Sequence, residues 1–211
     1  MIKSLFQFIL KKNKEIIVGD YRSKILSKLI VSLIIKYSNN SEKIKIIDYG
    51  SGFQPKVVSF IYDLLKFEYK KKVTIECFDF YDTESLNNLN KNNNIVFHHI
   101  DNLDFKEGDY DFCLINDVLH HIGVEKTNEL KNLISKLQDK AKYVLIKDHF
   151  QYSYFSNLTL RFMDFLGNYH NNVNTPSRYF TYDSFKKLLN QSNSIILEKI
   201  PQIKLYQSFF L

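Results

Sequence analysis

Acids at the tips of predicted strands, beside a glycine-bearing turn, are the residues of this sequence best placed for chemistry. The run Lys45-Ile46-Ile47-Asp48-Tyr49-Gly50-Ser51-Gly52-Phe53-Gln54-Pro55 passes from an apolar strand through Asp48 into a short turn, then into a helical pattern. Glycine is scarce, 6 of 211 residues, yet Gly50 and Gly52 fall one residue apart. That spacing suits a backbone that turns at positive φ or closely approaches a ligand. The helix that follows offers its first N–H groups and positive dipole end to an anion. Further acids follow later apolar runs: Phe78-Asp79, Ile100-Asp101-Asn102 and Ile115-Asn116-Asp117. Ligands of open parallel sheets bind outside the carboxyl ends of the strands. The series therefore predicts one nucleotide-like cofactor site.

Each residue has a chemical reading. Gly50, Ser51 and Gly52 bring backbone up to a zwitterionic or phosphate group. Asp79 suits both hydroxyls of a ribose. Asp101, with Asn102 beside it, suits the exocyclic amine of adenine, and Phe80 can stack on that ring. Asn116 stands at the tip of the next strand, on the cofactor side. Structural alternatives stay open: Asp79 can cap a turn, Asp101 can form an Asx-turn, and Phe80 can belong to the core. His120 and His149 also follow strands on the ligand side, where an imidazole has the pKa range of a general base. Asp148 is a candidate to orient one of them. The alternative is that His120-His121 simply open a helix and His149 bonds a loop. His98 and His99 lie within a strand and point to opposite faces. No ligand set with recognisable spacing appears, so no metal site is predicted.

The elements that must position these residues alternate between strand and helix. A helix is expected over Tyr21 to Tyr37, with Ile25, Leu29, Ile30, Leu33 and Ile34 at helical spacing, and a shorter one over Ser4 to Leu10. Strands are expected at Ile44 to Tyr49, Val73 to Phe78, Ile95 to Ile100, Asp111 to Ile115 and Tyr143 to Ile146. Helices are expected from Pro55, over Glu129 to Leu137, over Leu158 to Leu166 and over Ser184 to Asn190. A final pair of strands, Ile195 to Ile200 and Leu205 to Phe210, is joined through Pro201 without a helix. The fold class is α/β: a Rossmann-like, mostly parallel seven-stranded sheet with an antiparallel terminal hairpin and helices on both faces.

Composition narrows the class. At 211 residues the default is one domain. The net charge of +6 and pI near 9.0 favour acidic partners only weakly. Cys77 and Cys113 fall inside strands and read as core residues in a reducing compartment. No run reaches the roughly 18 apolar residues of a membrane span, and Met1 to Leu10 lacks the flanks of a secretion signal. A cytoplasmic location is expected.

The segments Ile-Ile-Asp-Tyr-Gly-Ser-Gly, Cys-Phe-Asp, His-Ile-Asp-Asn and Asp-Phe-Cys-Leu-Ile-Asn-Asp-Val-Leu-His-His-Ile, in that order, resemble the class I S-adenosylmethionine-dependent methyltransferases. Asp48, Gly50 and Gly52 match the family's Asp-x-Gly-x-Gly-x-Gly, with Gln54 at the third glycine. The Leu-His-His-Ile segment is similar to small-molecule methyltransferases of the ubiquinone-biosynthesis type. It is unlike the Asn/Asp-Pro-Pro-Tyr motif of enzymes that methylate amide or exocyclic amino nitrogens. The resemblance implies S-adenosylmethionine as cofactor, with Asp79 on the ribose and Asp101 on the adenine. It implies a methyl group moved by in-line displacement to a small-molecule acceptor, with His120 at the position of a base in some relatives. It also implies that the aromatic-rich segment after the fifth strand shapes the acceptor pocket, as a lid suited to an apolar or planar molecule. One domain, 1–211, then divides into an N-terminal helical cover at 1–40, a cofactor-binding core at 43–149, an acceptor-side lid insertion at 150–183, and a terminal helix and hairpin at 184–211. RNA is the alternative acceptor. A non-catalytic S-adenosylmethionine-binding protein or a nicotinamide-binding Rossmann protein are the alternatives to methyl transfer. Against the nicotinamide reading, Pro55 replaces the glycine that permits close helix–strand packing, and Asp48 would set a negative charge beside a pyrophosphate.

Overall fold

The computed structural model describes residues 20–52, 56–80, 83, 84, 87, 92–105, 110–168, 176, 178–197, 199, 200 and 207–210. The expectations at Ser4 to Leu10, Gln54, Pro55 and Pro201 fall outside these residues. Five strands, β1 (Lys43–Tyr49), β2 (Lys72–Asp79), β3 (Ile95–His99), β4 (Tyr110–Asn116) and β5 (Ala141–His149), form a parallel sheet in the order β3-β2-β1-β4-β5. The order reverses between β1 and β4, and such a switch point opens a crevice at the carboxyl ends. Register sets the candidate residues along that rim. Asp48 pairs with Cys77 and Leu114, Asp79 with His99, and Asn116 with Lys147.

Alternation along the strands separates two cores. Ile44, Ile46, Ile75, Phe112 and Leu114 face one side, where α1 (Asp20–Tyr37) and α2 (Lys56–Asp63) cover them. Ile47, Tyr49, Phe78, Cys113 and Ile115 face the other side, under α4 (Thr127–Lys140) and α6 (Tyr182–Gln191). A short α3 (Leu119–Ile122) lies between β4 and α4. Strands buried on both faces read as continuous apolar runs, which is why they were visible in the sequence. Cys77 and Cys113 are buried and free. Within α1, the buried Ser27 Oγ donates to the carbonyls of Ser23 (2.7 Å) and Val57 (3.0 Å), tying the helix to α2.

The segment after β5 folds back on it. Phe150 bridges Phe180 in parallel, and Gln151 N–H donates to the Phe180 carbonyl at 2.9 Å. This brings Tyr179 to the tip of β5. Thr181 then caps α6 in a reciprocal box: Ser184 N–H donates to Thr181 Oγ1 (3.1 Å) and Thr181 N–H to Ser184 Oγ (2.9 Å). Between Phe150 and Phe180 runs α5 (Tyr154–Asn168), longer than the predicted Leu158 to Leu166. Two short segments, β6 (Lys199–Ile200) and β7 (Gln207–Phe210), extend the order beyond β5, with β7 antiparallel to it. Ile195 to Leu197, expected to begin a strand, do not. Ile195 is 81% exposed and Leu197 52%, so this apolar run is not a buried strand.

Candidate active site

At the tip of β1 the backbone turns twice at positive φ, +75° at Gly50 and +72° at Gly52. The glycines are needed for different reasons. A Cβ on Gly50 would collide with Val118 Cγ2, whereas one on Gly52 would meet nothing within 4 Å among the described residues. Gly50 is thus a close-packing glycine and Gly52 a conformational one that opens onto space. Gly50 N–H donates to the Phe78 carbonyl (2.8 Å) and Gly52 N–H to Asp79 Oδ2 (2.7 Å), so the turn is held to the end of β2. Asp79 also accepts from Phe80 N–H at 2.7 Å. Ser51 Oγ is buried and makes no hydrogen bond among the described residues.

Asp48 is 3% exposed. Burial, reinforced by the nearby Asp79 charge and opposed by a hydrogen bond from Asn116, pushes its pKa up to about 7. Two carboxylates and a partnerless hydroxyl around a glycine turn call for a cationic, hydrogen-bonding ligand. A molecule with an ammonium and a sulfonium fits that demand, and a pyrophosphate does not. Asp101 stands farther along the rim, in the 3₁₀ turn Ile100–Phe105. Its side chain is 83% exposed and lies 3.2 Å from His99 Nδ1. Asn102 is exposed beside it. Phe80 is 74% exposed and meets His99 edge-on, with ring centroids 6.4 Å apart. The structure therefore gathers Asp48, Gly50, Ser51, Gly52, Asp79 and Asn116, and sets Phe80, Asp101 and Asn102 on an exposed shelf next to them.

A second cluster occupies the tips of β4 and β5. The His120 side chain is fully buried, with Nδ1 against Asp148 Oδ1 and Nε2 3.3 Å from Asp164 Oδ2 on α5. The Nε2 contact is off line for a hydrogen bond, so that tie is chiefly ionic. Burial alone would lower the His120 pKa. Asp148 and then Asp164 overcome this and push it up to about 10. Asp164 in turn accepts from the Tyr179 hydroxyl at 2.6 Å. Burial would raise its pKa, but His120 and Tyr179 hold it below the usual carboxylate range. His120, His121 and Asp164 offer ligand atoms within 4.8 Å of one another. A metal could use them only if His120 surrendered its proton between two carboxylates. His120 is therefore a protonated strut, and its position differs from that of a base open to an acceptor.

His149 is the contrasting case. Its side chain is 12% exposed, and Nε2 lies 3.3 Å from Asp117 Oδ1 and 3.9 Å from Asp164 Oδ1. Burial lowers its pKa to about 4; the charges of Lys147 and His120 add to that, against Asp117 and Asp148. Its ring is neutral at pH 7. Lys147 and Asp117, which the sequence reading did not assign, pair beside it. The available signal for Lys147 was its place at the start of the polar run Lys147-Asp148-His149 that ends an apolar strand. Of the aromatics in the segment after β5, those on α5 are exposed (Tyr154 72%, Phe155 78%, Phe162 60% and Phe165 46%), whereas Phe150, Tyr179 and Phe180 are buried. The inner side of the helix carries Ser156, Leu160 and Asp164.

Comparison with known families agrees with this geometry. A model described as a methyltransferase domain matches residues 21–198. The chain belongs to the methyltransferase-domain family. Solved structures share the fold at low identity. They include a SAM-dependent methyltransferase from Leishmania major (10% identity, TM-score 0.59, covering 91% of this chain and 73% of that one). The DszA carbon methyltransferase is 14% identical (TM-score 0.61, 92% and 53%). The mitomycin 7-O-methyltransferase MmcR is also 14% identical (TM-score 0.58, 89% and 52%). This methyltransferase domain thus spans about half the length of the last two. No curated protein matches the chain. The methyl donor of the domain is S-adenosylmethionine. No helix among the described residues is long and apolar enough to cross a membrane.

Proposed function

We propose that this domain methylates a hydroxyl-bearing small molecule, with Asp48, Gly50, Ser51, Gly52, Asp79 and Asn116 holding the cofactor and His149 acting as general base. The cofactor supplies an electrophilic methyl group on a sulfonium. Asp48 would offset its positive charge, Asp79 would accept from the ribose hydroxyls, and the glycine turn would bring backbone to its methionyl end. Phe80, Asp101 and Asn102 receive the adenine on the exposed shelf. With the methyl donor bound, the chain's part would be to hold an acceptor hydroxyl against the methyl group and to take the hydroxyl proton on the neutral His149 ring. Asp148 orients His120, whose charge fastens Asp164 and hence α5 over this end of the sheet.

The observation that carries the reading is the shared β4 tip. Asn116 hydrogen-bonds Asp48 on the cofactor side, and its neighbour Asp117 lies 3.3 Å from His149 on the acceptor side. A polar acceptor is favoured because Asp164, Tyr179 and His149 face inward while the α5 aromatics face outward. Segment 150–183 is then the acceptor-side insertion. Segment 1–40 supplies the helical cover, and β6 and β7 belong to a terminal antiparallel hairpin completing seven strands. A labelled-methyl transfer assay over cell extract, separated into small-molecule and RNA fractions, tests the assignment. Label in small molecules, lost with His149→Ala, is expected. Label confined to RNA, or transfer undiminished by the substitution, would refute it.

A further inference from the structure

The sheet holds a lysine where packing energy would select an apolar side chain. Lys147 lies in β5, and its side chain is 0% exposed. A buried ion pair is often no more stabilising than well-packed apolar residues of similar volume. Asp117, its partner, adopts φ +57°, in the left-handed region that Asp enters more readily than most non-glycine residues. Asp117 N–H donates to the Lys147 carbonyl at 2.8 Å, so backbone and side chain both tie the two residues. The Asp117 oxygen that accepts from Lys147 Nζ also lies 3.3 Å from His149 Nε2. His149 is two residues beyond Lys147 on the same strand and projects to the same face.

We infer that Lys147 and Asp117 are positioning residues for His149: Asp117 places the ring proton on Nε2, and Lys147 holds Asp117 as the anion and disfavours a second proton on the ring. This rests on the reading of His149 as the base. Burial is the largest cause of the ring's neutrality, and the charged groups around it adjust the balance. Asp117 from the β4 tip, Asp164 from α5 and Asp148 from β5 favour an imidazolium. Lys147 from β5 and His120 from α3 oppose it. Tyr179 meets the ring edge-on with centroids 6.2 Å apart, and its hydroxyl is directed at Asp164. Remove the Lys147 ammonium and the carboxylates outweigh the remaining cation. The ring would then take up its second proton at a higher pH than in the parent protein, and a ring so protonated lacks the lone pair that takes the acceptor's proton.

Long-range ¹H–¹⁵N correlation spectra of the full chain test this without knowledge of the acceptor. In the parent protein at pH 7, His149 is expected as the neutral Nε2–H tautomer. Lys147→Met is expected to raise its titration midpoint by about one pH unit or more, a tenfold change in protonated fraction. Lys147→Arg is expected to keep the parent behaviour, which a loss of packing alone would not restore. Asp117→Asn is expected to shift the tautomer balance toward Nδ1–H, and it decides the matter if Lys147→Met does not fold. An unchanged midpoint in Lys147→Met, or an unchanged tautomer in Asp117→Asn, would overturn the inference. The base reading fails separately, if His149→Ala transfers methyl groups at the parent rate.

Discussion

His120 and Asp148 face each other across the tips of α3 and β5, both fully buried, with the imidazole Nδ1 against a carboxylate oxygen. Asp148 Oδ2 also accepts from His120 N–H at 3.2 Å, so the residue is gripped by both its ring and its backbone. Removing the ring leaves buried carboxylates without their cation, a change that typically destabilises by about 3–5 kcal/mol. His120→Ala should therefore lower the denaturation midpoint sharply in a urea titration. His120→Lys should do less harm than His120→Ala if charge is what the site needs.

The same pair sets a pH dependence of stability. The folded pKa of His120 is raised from 6.5 to about 10. The folded state thus holds its proton more tightly than the unfolded chain does. The contribution is complete below pH about 6.5 and disappears as pH rises through about 10. Thermal melts across that window should show a fall in Tm that is smaller in His120→Gln.

Asp48 predicts linkage of opposite character. Its pKa of about 7 leaves it part-protonated near neutrality, and a bound cation must expel that proton. Binding of S-adenosylmethionine should strengthen from pH 6 to pH 8 and release protons at pH 7. Calorimetry in two buffers of different ionisation enthalpy measures the release directly. Asp48→Asn should abolish it and weaken binding at least about tenfold, or about 1.4 kcal/mol.

The two glycines of the turn should respond differently to alanine. Both pay the strain of a left-handed conformation, about 1–2 kcal/mol. Only Gly50→Ala also collides with Val118, so its urea midpoint should fall further than that of Gly52→Ala. Gly52→Ala should instead be read in cofactor affinity, because its methyl group would project into open space beside the turn.

His149 should keep methyl transfer independent of pH from about pH 5 upward, with a loss as the pH falls through about 4. Its replacement by alanine should lower the single-turnover rate by about 10²- to 10⁴-fold while cofactor affinity holds. Comparing the rates at matched cofactor saturation checks both halves of this expectation.

The parallel sheet and the residues on its rim were legible because both rest on short-range patterns. Apolar runs mark the doubly buried strands, and a residue at a strand end lands on the rim whatever the connections do. Asp48, Gly50 and Gly52 could therefore be placed from local sequence alone. The acceptor side was harder because it is assembled over long separations. Asp164 and Tyr179 reach His120 through α5 and the Phe150–Phe180 bridge, and neither contact has a local signature. His120 and His149 looked equivalent as residues after strands. What distinguishes them is the close pairing of His120 with Asp148 against the burial of His149 beside Lys147 and the charged His120, and both depend on tertiary packing. The orientation of the aromatic segment was not legible either: α5 exposes Tyr154, Phe155, Phe162 and Phe165, and a family resemblance does not show which way a helix face turns.

Positions 50 and 118 occupy a single volume. Val118 fills the room that a side chain on residue 50 would need, and it sits directly before the helix that carries His120. Mass can be added at one position only if it is removed at the other, so Gly50→Ala should be partly rescued by Val118→Ala but not by Val118→Ile. The glycine turn and the start of α3 are geared together, and a displacement at either is transmitted to the other through one isopropyl group.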